Sequence, residues 1–88
     1  MQADNKIEIA VTTTAQDLDE SFNLEEPLRV VFQKALLLVG GQGQPDQFQL
    51  EYQDKPLTEL NRQLEHFKAQ FGWGDKVELE LVPKPVVV

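Results

Sequence analysis

Between Lys6 and Thr14 the chain alternates, with Ile7, Ile9, Val11 and Thr13 on one side and Glu8, Ala10, Thr12 and Thr14 on the other. A period of two built on β-branched residues predicts a strand with one buried face. Ala15-Gln16-Asp17 interrupts the pattern as a turn. A second, shorter strand is expected over Leu18 to Leu24, with Leu18, Phe22 and Leu24 as its apolar positions, and the two make an N-terminal hairpin. The period then changes. Leu28, Val31, Phe32, Ala35, Leu38 and Val39 fall at offsets 0, 3, 4, 7, 10 and 11, which at about 100° per residue share one helix face. Glu25-Glu26-Pro27 reads as the start of this helix, since proline fits the first turn and acidic side chains favour the positive end of the helix dipole. Gly40-Gly41 ends it, one glycine taking the left-handed cap conformation.

Gln42 to Gln47 is polar and carries Gly43 and Pro45, hence a loop. Phe48, Leu50 and Tyr52 alternate with Gln47, Gln49, Glu51 and Gln53 and predict a third strand. Gln53-Asp54-Lys55-Pro56 reads as a turn, after which Leu57 starts a very short fourth strand. Leu57, Leu60, Leu64, Phe67 and Phe71 then recur every three or four residues, so Thr58 to Phe71 is expected to be helical in part, with Thr58 as its cap. Gly72-Trp73-Gly74-Asp75 breaks that helix, and Trp73 is expected to plug the base of the core. Val77, Leu79 and Leu81 alternate with Glu78 and Glu80 as a last strand, ended by Pro83 and Pro85. No internal repeat or low-complexity segment appears.

One helix cannot bury its stripe alone and must lie across a sheet. The first and last strands are the best patterned, and placing them side by side and parallel at the sheet centre covers both. The class is therefore α+β, with a mixed sheet of four or five strands, one main helix and a second short one. The expected core is Ile7, Ile9, Val11, Phe22, Leu24, Leu28, Val31, Phe32, Ala35, Leu38, Leu50, Leu57, Leu64, Val77, Leu79 and Leu81. Residues 6–82 form the domain, 1–5 a flexible N-terminus and 83–88 an extended tail.

Composition narrows the function. A chain of 88 residues, 41% hydrophobic, holds one modest core and little material for a deep substrate cleft. Its formal charge is −7, from 15 acidic and 8 basic side chains, and no two Lys or Arg residues are adjacent. Nucleic acid and anionic membranes are thereby poor partners, and basic protein surfaces better ones. Cysteine is absent, which removes thiol catalysis, thiolate metal sites and disulfides. Met1 to Lys6 has no apolar run of the kind that opens a signal peptide, and Ala35 to Val39 is far short of the roughly 20 residues needed to span a bilayer. The expectation is a soluble, cytoplasmic protein.

The arrangement from Lys6 to Val82 resembles the ubiquitin-like β-grasp superfamily. Leu50-Glu51-Tyr52-Gln53-Asp54-Lys55-Pro56-Leu57, with Asp75-Lys76-Val77-Glu78-Leu79-Glu80-Leu81, is laid out like its third strand, turn and last strand. Shorter stretches resemble a group of small bacterial ubiquitin-like proteins of unassigned function: Glu26-Pro27-Leu28 with Lys34-Ala35-Leu36, Gly41-Gln42-Gly43-Gln44-Pro45, Asn61-Arg62-Gln63-Leu64-Glu65, and Phe71-Gly72-Trp73. The resemblance implies a non-catalytic interaction module, with an activating-enzyme or JAB-type isopeptidase homologue as a further possible protein partner. It also implies an alternative, a covalent modifier. Conjugated members end in Gly-Gly, whereas the glycines here are Gly40, Gly41, Gly43, Gly72 and Gly74 and the tail reads Pro83-Lys84-Pro85-Val86-Val87-Val88. Conjugation would need a glycine-ended form.

No catalytic, metal or cofactor site is read from the chain. His66 is the sole histidine and reads as a solvated or half-buried helix residue. Asp17, Asp19 and Glu20 lack the glycine and spacing of a calcium loop. Gly40-Gly41-Gln42-Gly43 follows a helix, whereas phosphate loops precede one. Partner-binding candidates come from three places. The family's recognition patch lies on the exposed sheet face, and the matching outward positions are Glu51, Glu78 and Glu80, which either solvate the sheet or meet a basic partner. Val30 and Leu37, seven residues apart opposite the helix stripe, with Leu36 at the margin, are either isolated surface residues or a ridge for a partner or a weak homodimer. Val86, Val87 and Val88 are either a disordered end or a segment that adds as a strand to another sheet.

Overall fold

The computed structural model describes residues 5–41 and 43–85. Along the chain run β1 (Lys6–Thr12), β2 (Leu18–Asn23), α1 (Leu28–Val39), a 3-10 turn (Pro45–Gln47), β3 (Phe48–Tyr52), β4 (Lys55–Leu57), α2 (Leu64–Phe71) and β5 (Lys76–Pro83). The strands form one mixed sheet of order β2-β1-β5-β3-β4. The ends of the chain pair as expected: β1 and β5 are parallel neighbours at its centre, with Ile9 beside Val77 and Val11 beside Leu79. This is the ubiquitin-like α+β fold.

The direction of each backbone group follows from a few hydrogen bonds. Leu24 N–H donates to Asn5 O over 2.8 Å, so the odd residues of β1 bond to β2. Glu8 N–H donates to Asp75 O over 2.9 Å, so the even residues Glu8, Ala10 and Thr12 bond to Asp75, Val77 and Leu79 of the last strand. Side chains alternate in step. Ile7, Ile9, Val11, Leu50, Val77, Leu79 and Leu81 are buried under the helices, and the even residues of β5 lie on the outer face.

The buried helix stripe keeps Leu28, Val31, Phe32 and Ala35 as expected and differs only in its last turn. Leu36, placed at the margin by its spacing, is 3% exposed, while Leu38 packs only partly against the core. The connection after α1 is the cause. Gly41 N–H donates to Leu36 O (2.9 Å) and Gly40 N–H to Leu37 O (3.3 Å), with Gly40 left-handed at φ 69°. This paired closure folds the chain back over Leu36. A side chain cannot fit at Gly41, where a Cβ would lie 2.8 Å from Phe48 Cε2 and 3.2 Å from Leu36 Cδ2. Leu18, Phe67 and Trp73 also join the core, Trp73 as the expected plug.

Thr58 does not cap the second helix, which begins six residues later at Leu64. Pro27 stands outside α1 as its extended cap residue, and neither helix has a side-chain cap. The two N-termini instead satisfy each other through backbone. Leu28 and Arg29 N–H donate to Arg62 and Leu60 O, while Leu64 and Glu65 N–H donate to Glu26 and Leu24 O, all at 2.8–2.9 Å. The turn after β3 is tighter than the four residues read from sequence. Only Gln53 (φ 50°) and Asp54 (φ 66°) stand between the paired Tyr52 and Lys55, a two-residue hairpin of the mirror type that suits strand twist. Pro56 is tolerated inside β4 because that strand is the sheet edge.

Gly41→Ala is expected to destabilise the fold by about 1–3 kcal/mol through overpacking against Phe48, whereas Gly43→Ala, whose Cβ meets nothing within 4 Å, leaves stability close to the parent. Urea unfolding of the two variants checks this.

Candidate functional site: the outer face of the sheet

Strand alternation that buries one face leaves the other to solvent. Reading across the outer face, Asp19 of β2 is beside Ala10 of β1, which is beside Glu78 of β5. In the next rows Ser21, Glu8 and Lys76 are neighbours, and Thr12, Glu80 and Glu51 form a line. Glu51, Glu78 and Glu80 therefore share the outer face. Glu51 and Glu80 are directly opposite in antiparallel register, where like charges destabilise a sheet.

The face is unevenly compensated. Lys76 Nζ lies 3.3 Å from Glu8 Oε2. The hydrogen bond to Glu8, then the charges of Glu8 and Asp19, hold the Lys76 ammonium above the usual lysine range. Among the described residues no Lys or Arg forms an ion pair with Glu51, Glu78 or Glu80. Glu51 Oε2 accepts only the amide of Gln49, at 2.7 Å.

The other candidates fall elsewhere. Leu37 is 60% exposed, the large hydrophobic most open to solvent among the described residues. Val30 is half-buried and packs against the core, so the expected ridge is reduced to Leu37 alone. Leu37 borders an apolar groove of about 550 Å³ with Arg29, Phe32, Leu36, Pro45 and Leu60, in which Val30 has no part. Val86, Val87 and Val88 lie outside the described residues. His66 is half-buried and packs edge-on against Phe67, ring centroids 5.3 Å apart. Asp17, Asp19 and Glu20 do not converge. Strand alternation puts Asp19 on the outer face and Glu20 on the helix side, where Lys34 Nζ reaches its Oε1 at 2.7 Å.

One feature has no counterpart in the sequence reading. Where β5 begins, the outer face sinks into a concavity of about 530 Å³ bordered by Thr12, Tyr52, Trp73, Lys76, Glu78 and Glu80. Tyr52 stands edge-on to Trp73 at 5.4 Å and 5.1 Å from Phe71. Hydropathy carries no signal of this hollow, because it depends on where the β3–β5 ladder stops.

No family model and no curated protein sequence matches the chain. Solved structures do. The ubiquitin of Caldiarchaeum subterraneum superposes with a TM-score of 0.69 at 18% identity, covering 92% of this chain and 96% of that one. A designed protein based on ubiquitin gives 0.70 at 20% identity, covering 97% and 96%. The ubiquitin-like domain of an Arabidopsis thaliana protein gives 0.64 at 17% identity, covering 93% and 81%. The chain is similar to these in fold.

Glu80→Lys, which sets a lysine opposite Glu51, is expected to raise stability by about 0.2–1 kcal/mol. Urea unfolding at low ionic strength reads the gain, and added salt reduces it.

Proposed function

We propose that this chain is a non-catalytic protein-binding module of ubiquitin-like type whose outer sheet face engages a basic protein surface. The observation that carries the reading is the Glu51–Glu80 pair with Glu78 beside it: carboxylates held together by strand register and, among the described residues, outside any ion pair. Such an arrangement costs stability in the isolated chain and is relieved when a partner supplies Lys or Arg. The formal charge of −7 extends this attraction beyond contact distance and speeds encounter with a basic partner. A bacterial ubiquitin-like pathway, with an activating-enzyme or JAB-type homologue as the partner, is the setting that the short sequence resemblances favour.

The fold also supports a second reading, a covalent modifier, which would need a glycine-ended form. Intact mass of the protein from its native cell separates the two. A large protein adduct supports conjugation, and a lone 10.0 kDa species supports the binding module.

The binding reading is tested by comparing the parent with the Glu51→Lys, Glu78→Lys, Glu80→Lys triple variant, after amide spectra establish that the variant is folded. The parent is expected to retain basic proteins and to release them as salt rises from roughly 0.05 to 0.3 M, as the screening length falls below about 10 Å. The variant is expected to retain none of them. Equal retention by both proteins contradicts the proposal.

A further inference from the structure

The seam between β3 and β5 closes over only half of β5. The ladder pairs Phe48–Glu51 with Glu80–Pro83, and at Gln53 the chain turns away with φ 50°. β5 itself begins at Lys76. On its other side that first half is held by β1, through Asp75, Val77 and Leu79. Adjacent residues of a strand turn their backbone groups to opposite sides, so Glu78 presents its N–H and C=O toward β3, where no strand remains. Among the described residues neither group has a backbone or side-chain partner. Glu78 lies on a central strand with the free backbone of an edge strand.

This gap borders the concavity described above. Tyr52 and Trp73 line it, together with Glu78, Glu80, Thr12 and Lys76. Trp73 is 5% exposed, and its indole N–H has no acceptor, an uncommon state for a buried donor. A free backbone donor and acceptor, an aromatic wall and carboxylates outside any ion pair thus meet in one place. A metal ion or a small cation would use only the last of these. An extended peptide uses all three.

We propose that the gap takes a short extended segment of a basic protein. The segment's backbone pairs with the N–H and C=O of Glu78, continuing the sheet where β3 leaves it. An Arg or Lys opposite Glu78 turns its side chain to the outer face, between the carboxylates of Glu78 and Glu80, and its neighbours in the segment turn to the other face, toward Tyr52 and Trp73. Strand addition ordinarily occurs at an open sheet edge; here the hairpin end at Gln53–Asp54 closes one side, so the inserted stretch is limited to roughly two or three residues at about 3.3 Å each. Guanidinium suits the position better than ammonium, because its fork of N–H donors can meet two carboxylates at once. The inference rests on the binding role proposed for the outer face and specifies what the partner presents there.

The test is an amide-resolved NMR titration of the whole chain with the probe peptide acetyl-Thr-Val-Arg-Val-Thr-amide. Saturable shifts are expected at the Glu78 amide, its neighbours in β5 and the Trp73 indole N–H, with a dissociation constant on the order of 1 mM for so few contacts. Methylating the arginine's backbone nitrogen is expected to weaken binding roughly tenfold, and the Glu78→Lys, Glu80→Lys variant to abolish it. If the methylated peptide binds as well as the parent while the charge variant does not, the acidic face still binds basic chains but the seam proposal is overturned. If no saturable shift occurs, or shifts fall beside Leu37 instead, the seam proposal is overturned. If glutamate in place of the peptide's arginine binds equally well, the charge reading falls with it.

Discussion

The parallel pairing of β1 with β5 is the constraint on which every other feature depends. It joins two segments from opposite ends of the sequence, so it forms only when the intervening chain has folded into something compact. Once made, it fixes which face of each strand meets the helices. Ile9 beside Val77 and Val11 beside Leu79 are buried under α1, and in the same stroke Ala10, Thr12, Glu78 and Glu80 go to the outer face. A slip of one residue in this register would bury the glutamates and expose the core. The acidic outer face is therefore the obligatory reverse of the hydrophobic core and needs no separate signal to position it.

That link explains why some of the site was legible in the sequence and some was not. The outward placement of Glu51, Glu78 and Glu80 follows from a period of two, and Leu28–Val39 follows from a period near 3.6. Patterns of that kind report which side a residue takes. They do not report how far a ladder extends. The stop at Gln53, the free backbone of Glu78 and the hollow beside Tyr52 all come from two positive φ angles in a hairpin whose residues, Gln53 and Asp54, are weak turn signals compared with Asn-Gly. Leu36 departs from the margin for a related reason. Helical spacing gives its angle on α1, but whether a neighbouring loop covers that angle is set by the Gly40-Gly41 closure. The caps of the helices were equally hidden, because the segments around Glu26 and Arg62 satisfy one another by backbone carbonyls that leave no trace in residue type.

Charge on this domain divides into structural and unused parts. Lys34 ties α1 to Glu20, and Lys76 offsets Glu8; both pairs are exposed and of the kind worth little in isolation. The remaining carboxylates of the outer face have no such role. Tyr52, Phe71 and Trp73 pack on the helix side where the β3–β5 ladder stops, with centroids 5.1–5.8 Å apart.

Native-state hydrogen exchange of the β5 amides tests the account most directly, since one strand carries both the closed seam and the open one. Val77 and Leu79 donate to β1 and are expected to exchange only through global unfolding, while Glu78 between them exchanges at least roughly a hundredfold faster through its unpartnered N–H. Equal protection of all three amides would mean that Glu78 is already paired, and the open seam, with the recognition built on it, would not exist.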